Sequence, residues 1–285
     1  SGGEQSLLSQ FKIGLEKLIF KSDNDVIPRE DWGADEDLRL AKTYNVDFDS
    51  SEYASELSDE EVEDDPDMEI VDTVFVDGNG DKLYWPLEYP AEVKKIIIHH
   101  TATSSNLDDP ETAIRAIYQY HSVTRGWGDI GYNYIVAPDG TIYEGRAGGD
   151  GVVAGHASGY NTGSVGIALL GNYEESDLSG EMMQGLTALI YEKADLHDID
   201  PDAFSAFRGE SIPNILGHRD VGSTACPGDH TYDYLDGIRN LVGNALDARR
   251  NTNTEDDYAY KEVGSRELLV LDPGEQVGVS VKIKT

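Results

Sequence analysis

Two short stretches hold the residue types that bind soft metal ions. "KKIIIHHTATS" (94–104) ends an apolar run on His99 and His100, and "GHRDVGSTACPGD" (217–229) carries His218 and Cys226. Neighbouring side chains of a β-strand point to opposite faces, so only one of His99 and His100 can serve a common site. That histidine, His218 and Cys226 make two imidazoles and one thiol. Three protein ligands are what a catalytic zinc site uses while its fourth position stays open, and mixed nitrogen and sulfur donors suit zinc. Cys226 is the single cysteine, so no internal disulfide forms. Without partners, such a cysteine reads as a small core residue.

The elements that must position these residues are legible around them. "KKIIIHH" reads as a β-branched strand and "SVGIALLG" (164–171) as a central strand buried on both faces. "DDPETAIRAIYQYHSV" opens a helix with Asp109 as N-cap and Pro110 in the first turn, and sets Ile114, Ile117, Tyr118 and His121 on one face. Hairpins are expected across Asp77–Gly80 and at Pro138-Asp139-Gly140. A second helix starts near Ser179, a short strand "NILG" runs into the His218 loop, and "TYDYLDGIRNLVGNALDARR" closes as a helix. Strands alternating with helices imply an α/β fold with helices on both faces of a sheet. The glycine-rich stretch 145–163 lacks the Gly-Lys-Ser/Thr ending of a phosphate loop, which removes the nucleotide reading.

Composition narrows the partners. With 55 acidic against 22 basic residues, the net charge of −33 repels nucleic acid and anionic membranes. No apolar run reaches the roughly eighteen residues of a membrane span. Residues 47–72 hold 13 acids and neither Lys nor Arg, and read as a solvated insertion. "EQSLLSQFKIGLEKLIF" (4–20) reads as an amphipathic helix, and the alternating tail within 251–285 as β, the start of a further domain. The expected division is therefore an extension over 1–93, a catalytic domain over 94–250 and a β tail over 251–285.

Four motifs in order, "IIIHHTAT", "GWGDIGYNYIVAPDGTIYEGR", "AGHASGYNTGSVGIALLGNY" and "GHRDVGSTACPG", resemble the type-2 N-acetylmuramoyl-L-alanine amidases, the group that includes peptidoglycan recognition proteins and phage amidase-lysozymes. The likeness covers about residues 94–245, with "IPREDWGADEDLR" (27–39) as an outlying piece. It implies a central mixed sheet flanked by helices and one zinc per chain held by His99, His218 and Cys226. It also implies hydrolysis of the amide between N-acetylmuramic acid and L-alanine of peptidoglycan by a secreted or envelope-bound monomer. A peptidoglycan-binding module without catalysis is the alternative, and Cys226, which many recognition-only members lose, favours the enzyme.

The same resemblance places Tyr132 beside the zinc as the donor that steadies the oxyanion. Thr224 stands where some phage members carry a catalytic lysine and recognition-type amidases a threonine, and is assigned to positioning or polarisation. His121, Trp127 and His156 match groove positions for muramyl peptides, while Thr101 reads as a groove hydroxyl and Arg146 as a partner for a stem-peptide carboxylate. Four of them have a plainer reading: His121 as a core histidine, Trp127 as packing, Arg146 as an ion pair, Thr101 as a β-branched strand residue. Gly128 replaces the asparagine of "GWND". Glu144 is the one carboxylate considered as a general base.

Overall fold

The computed structural model describes residues 26–44, 68–105 and 109–262. The expected helix over 4–20, most of the acidic block and the stretch from 263 onward lie outside these residues. The strands are β1 (Ile70–Val76), β2 (Lys82–Pro90), β3 (Lys95–His100), β4 (Tyr134–Val136), β5 (Ile142–Glu144), β6 (Ser164–Leu169), β7 (Phe204–Phe207), β8 (Glu210–Pro213) and β9 (Ile215–Gly217). The α-helices are α1 (Pro110–Gln119), α2 (Gly180–Leu196), α3 (Asp229–Tyr232) and α4 (Leu235–Glu262).

Five strands form the central sheet in the order β5-β4-β6-β3-β9. β4, β6, β3 and β9 run parallel, and β5 pairs antiparallel with β4. Every residue of β3 and β6 is buried, as expected of strands covered on both faces. The two-residue period divides them cleanly. Ile96, Ile98, Val165, Ile167 and Leu169 face a core built with Met182, Leu186, Leu189 and Ile190 of α2 and Ile238, Val242 and Leu246 of α4. On the opposite face Ile135 and Ala168 pack with Ile114 and Tyr118 of α1 and with Trp32. Helices thus cover both faces of a mixed sheet, as the sequence predicted. Asp109 caps α1, accepting hydrogen bonds from the backbone N–H groups of Glu111 and Thr112, and Ser179 caps α2 through Met182 N–H.

The segments before β3 are part of this body, so the expected boundary at 93/94 is crossed by real contacts. Ile27 bridges to Tyr143 of β5, Leu40 bridges to Leu83 of β2, and Trp32 is fully buried with its indole N–H donated to Glu144 O. Among the described residues, those through Leu246 cluster in one compact unit and those from Asp247 in a second. The expected β tail is corrected over its first part: α4 runs to Glu262, so residues 251–262 are helical. That stretch has no alternation of apolar residues and no Gly or Pro before Gly264 to stop a helix. A hairpin of β7 and β8, which the sequence reading did not identify, flanks β9.

Asp129 ties the early segment to the sheet. Its buried carboxylate pairs with Arg29 at 3.0 Å, Arg146 at 2.9 Å and Arg39 at 3.3 Å, and accepts the backbone N–H of Ile130 at 2.8 Å. Burial pushes the Asp129 carboxyl up, but Arg29, Arg146 and Arg39 outweigh it and hold it below the usual carboxylate range. Removing one partner of a buried charge cluster strands the others, at a cost of about 3–5 kcal/mol. Asp129→Asn is expected to lose stability of that order in urea unfolding at neutral pH. Because the folded pKa lies below the unfolded value of about 3.9, this contribution is complete above that pH and disappears as the pH falls through the folded value. The gap between wild type and Asp129→Asn should accordingly narrow in acid unfolding below about pH 4.

Candidate metal centre

The site lies at the carboxyl ends of β3 and β9, neighbouring parallel strands, where α/β sheets place their ligands. β3 ends on His99 and His100, and β9 passes straight into a 3-10 turn over His218–Asp220. The rings of His99 and His218 come within 4.6 Å of each other. Cys226 arrives on the loop that follows. That loop is braced by Arg219, whose guanidinium reaches Asp229 at 2.6 Å and Glu174 at 3.0 Å and donates to Ala225 O. Asp220 adds a second brace, accepting from Gly217 N–H at 2.9 Å and from the Tyr232 hydroxyl at 2.5 Å. The bracing role of "RD" in "GHRD" escaped the sequence reading, although the charge pair was in plain view.

Ligand atoms of His99, His218 and Cys226 lie within 4.8 Å of one another. Cys226 Sγ stands 3.7 Å from His99 Nδ1. Nitrogen and sulfur ligands at ordinary zinc distances from a tetrahedral centre are about 3.6 Å apart, so the pair fits the ion. The electrostatics fit as well. Burial, then His156, His218 and His100, hold the His99 pKa well below the usual imidazole value, so the ring is neutral and able to ligate. Burial pushes the Cys226 thiol up to about 11, against the His100 backbone N–H, which donates to Sγ at 3.3 Å. A buried thiol among neutral imidazoles needs a cation to become thiolate, and a metal supplies it.

Strand alternation settles the two histidines. The His100 ring turns away from the cluster, and its Nδ1 accepts from Tyr173 N–H at 3.2 Å. Tyr132 sets its ring 5.5 Å from that of His99. Burial, then the nearby Cys226 sulfur, raise its phenol well above the ordinary value, so it stays protonated and able to donate. Thr224 is exposed, and its Oγ1 accepts from Cys226 N–H at 3.1 Å. That bond uses an oxygen lone pair and leaves the hydroxyl proton free to donate.

The groove candidates divide. His121 rides on a π-helical turn (Tyr120–Thr124) after α1, 4.7 Å from the Trp127 ring and 5.6 Å from Tyr132. Its Nδ1 accepts from Gly131 N–H at 3.1 Å, which places the ring proton on Nε2. Burial, then Arg125, lower its pKa to about 4. Trp127 is half-buried beneath the Arg125 guanidinium, 5.0 Å from the ring centroid. Thr101 is half-buried, and its Oγ1 accepts from Gly171 N–H at 2.9 Å. His156 is buried, with Nδ1 3.0 Å from His99 Nε2, so it touches a candidate ligand directly.

Arg146 does not join them. Its side chain is wholly buried, paired with Asp129 and donating to Pro86 O at 2.8 Å over the face of Trp85. An arginine so committed has no donor facing a groove. Glu144 is also distant: it lies on edge strand β5, three strand steps from β3, or roughly 14 Å at ordinary spacing. Gly128 has φ +78°, and a Cβ there would come 2.4 Å from the Tyr84 ring, so β2 fills the space a larger residue would take.

With this geometry established, comparison with known proteins is informative. The profile of the N-acetylmuramoyl-L-alanine amidase family matches residues 89–229, which contain all three candidate ligands. Peptidoglycan-recognition protein SC2 of Drosophila simulans is 37% identical over 143 residues, covering 49% of this chain and 70% of that protein. Peptidoglycan-recognition protein SC1a of Drosophila melanogaster is 32% identical over 168 residues, 58% of this chain and 83% of its own. Among solved structures, wild-type Drosophila PGRP-LB aligns with 26% identity and a TM-score of 0.47, over 74% of this chain and 91% of that one. The chain belongs to the family of N-acetylmuramoyl-L-alanine amidases and peptidoglycan recognition proteins.

One small residue holds the site open. Gly166 of β6 faces His156, and a Cβ there would lie 2.4 Å from the ring's Cγ and Cδ2. Gly166→Ala is expected to displace His156 and to cost about 1–3 kcal/mol, the range for overpacking a core. Urea unfolding of the zinc-free protein measures that loss.

Proposed function

We propose that this chain is a zinc-dependent amidase that hydrolyses the bond between N-acetylmuramic acid and L-alanine in peptidoglycan. The observation that carries this reading is the convergence of His99, His218 and Cys226 within 4.8 Å. A module that only binds wall fragments has no need of that trio. Zinc held there supplies a Lewis acid and nucleophilic water near neutral pH.

The chain's own groups then divide the work. Hydrolysis adds water across the lactyl–alanine amide, leaving a carboxylate on the lactyl group and a free amine on L-alanine. Negative charge develops on the carbonyl oxygen on the way. We assign that oxygen's donor to Tyr132, whose ring lies 5.5 Å from that of His99 and whose phenol stays protonated, with the free proton of Thr224 as a second. His121, packed against the Trp127 ring, offers Nε2–H, which suits an oxygen of an acylated sugar.

The substrate's location favours a working protein outside the cytoplasm, at the envelope or secreted. Among the described residues no helix is long and apolar enough to cross a membrane. The strongly acidic surface gives no long-range attraction to an anionic wall polymer, so recognition rests on groove contacts.

Metal analysis together with release of stem peptide from purified peptidoglycan tests the proposal. Wild type is expected to hold about one zinc per chain and to expose new N-terminal L-alanine. Cys226→Ser should lose both. Tyr132→Phe should keep zinc and lose about 10²–10³ in kcat, the effect of removing one oxyanion donor. Zinc without cleavage of any wall type would replace this reading with the binding module.

A further inference from the structure

We infer that Ser164 and His156 form a hydrogen-bonded relay that fixes the ring tautomer of His99, leaving its Nδ1 bare toward Cys226. The inference rests on the metal-centre reading for its purpose, but the relay is a property of the polypeptide alone. Ser164 and His156 act here as positioning residues, with no contact to the reacting atoms required.

The argument begins at the hydroxyl. Ser164 Oγ lies 2.5 Å from Tyr160 O and 3.0 Å from Asn161 O. Carbonyl oxygens only accept, so the single hydroxyl proton is committed to them. His156 Nε2, 3.3 Å from the same Oγ, must then be the donor of that contact. The His156 ring is buried, and the ring contacts described for it are with Ser164 Oγ and the His99 ring, neither of them an anion, so a second ring proton would have no counter-charge and the ring carries one. With that proton on Nε2, Nδ1 is a lone pair. It lies 3.0 Å from His99 Nε2 and accepts from it. A histidine must be neutral to ligate a metal, and with its proton on Nε2 His99 then presents the Nδ1 lone pair, the atom 3.7 Å from Cys226 Sγ. The reverse order would take the Ser164 proton from a 2.5 Å contact and move it to a 3.3 Å one. The tautomers follow from this network of contacts.

The fold prepares the relay. Lys95, Ile97 and His99 share one face of β3, and their parallel partners Ser164, Gly166 and Ala168 share the same face of β6. His156 fits over Gly166 between Ser164 and Ala168, a place only a residue without a side chain leaves free. Its backbone is pinned by Asn161, whose Oδ1 accepts from His156 N–H at 2.9 Å and Ala157 N–H at 2.8 Å. Ring, strand and loop are each fixed independently. A histidine ligand whose second nitrogen is held in this way is oriented before the metal arrives.

Two measurements test the relay. Long-range proton–nitrogen NMR correlation on zinc-free wild type at neutral pH should show the His99 proton on Nε2 and the His156 proton on Nε2. A proton on His99 Nδ1 overturns the inference. Zinc affinity by competition with a chromophoric chelator should fall about 10–100-fold in His156→Leu. His156→Asn, whose amide oxygen can accept in place of Nδ1, should recover most of that loss, and Ser164→Ala should fall between them. Equal losses in His156→Leu and His156→Asn, or wild-type affinity in His156→Leu, would sink the proposal. Unfolding midpoints of the zinc-free variants separate this effect from a general loss of stability, and if His156→Leu does not fold, the spectrum and the other two variants still decide. Should wild type bind no zinc, the metal centre fails as a reading, while the spectrum still decides the relay.

Discussion

A strand buried on both faces can offer a histidine to only one side at each position, and the centre is arranged around that constraint. β3 sends His99 toward β9's turn and His100 toward the opposite core. The backbone between them is not idle, since the His100 N–H is the donor nearest the Cys226 sulfur. One strand end therefore supplies a ring to the cluster and a dipole to its thiol. The loop 218–226 has only to bring His218 and Cys226 to a position that β3 has already fixed. Its bracing by Arg219 and Asp220 does that with ion pairs and hydrogen bonds at the rim, where solvent tempers their cost.

Much of this was legible because the chemistry is carried by rare residue types. A single cysteine, two histidine motifs and the period of a β-strand were enough to restrict the cluster, and caps such as Asp109 and Ser179 marked the helices. Arg146 was not legible. Its partner Asp129 lies in a connecting segment, and nothing in a pattern of charges tells an arginine in the core from one in a groove. Lys95 is similar. It stands at the start of a β-branched run with no sequence sign of a partner, yet it is fully buried, with Nζ donating to Ile212 O at 2.9 Å and Asn214 Oδ1 at 2.8 Å. Those acceptors come from the β7–β8 hairpin and its exit, over 100 positions away in the chain. The hairpin was missed because its strands are short and half exposed, so their alternation is weak.

His156 sits between these cases. Its motif was visible, but whether it faces a ligand or touches one depends on the direction of two ring nitrogens. That direction is set by Gly166 and Ser164 on another strand. Sequence spacing shows which residues can meet; only the packing shows which atoms do.

The Asp129 cluster bears on where this domain begins. The family match starts at residue 89, yet two of the three guanidinium groups around Asp129 belong to Arg29 and Arg39. The region that matches the family and the folding unit as a body of paired charge thus have different edges. Trimming a protein of this kind to the matched span 89–229 would leave an anion in the core with one of its three cations. The shortest chain that carries the chemistry is not the shortest chain that can hold it in place.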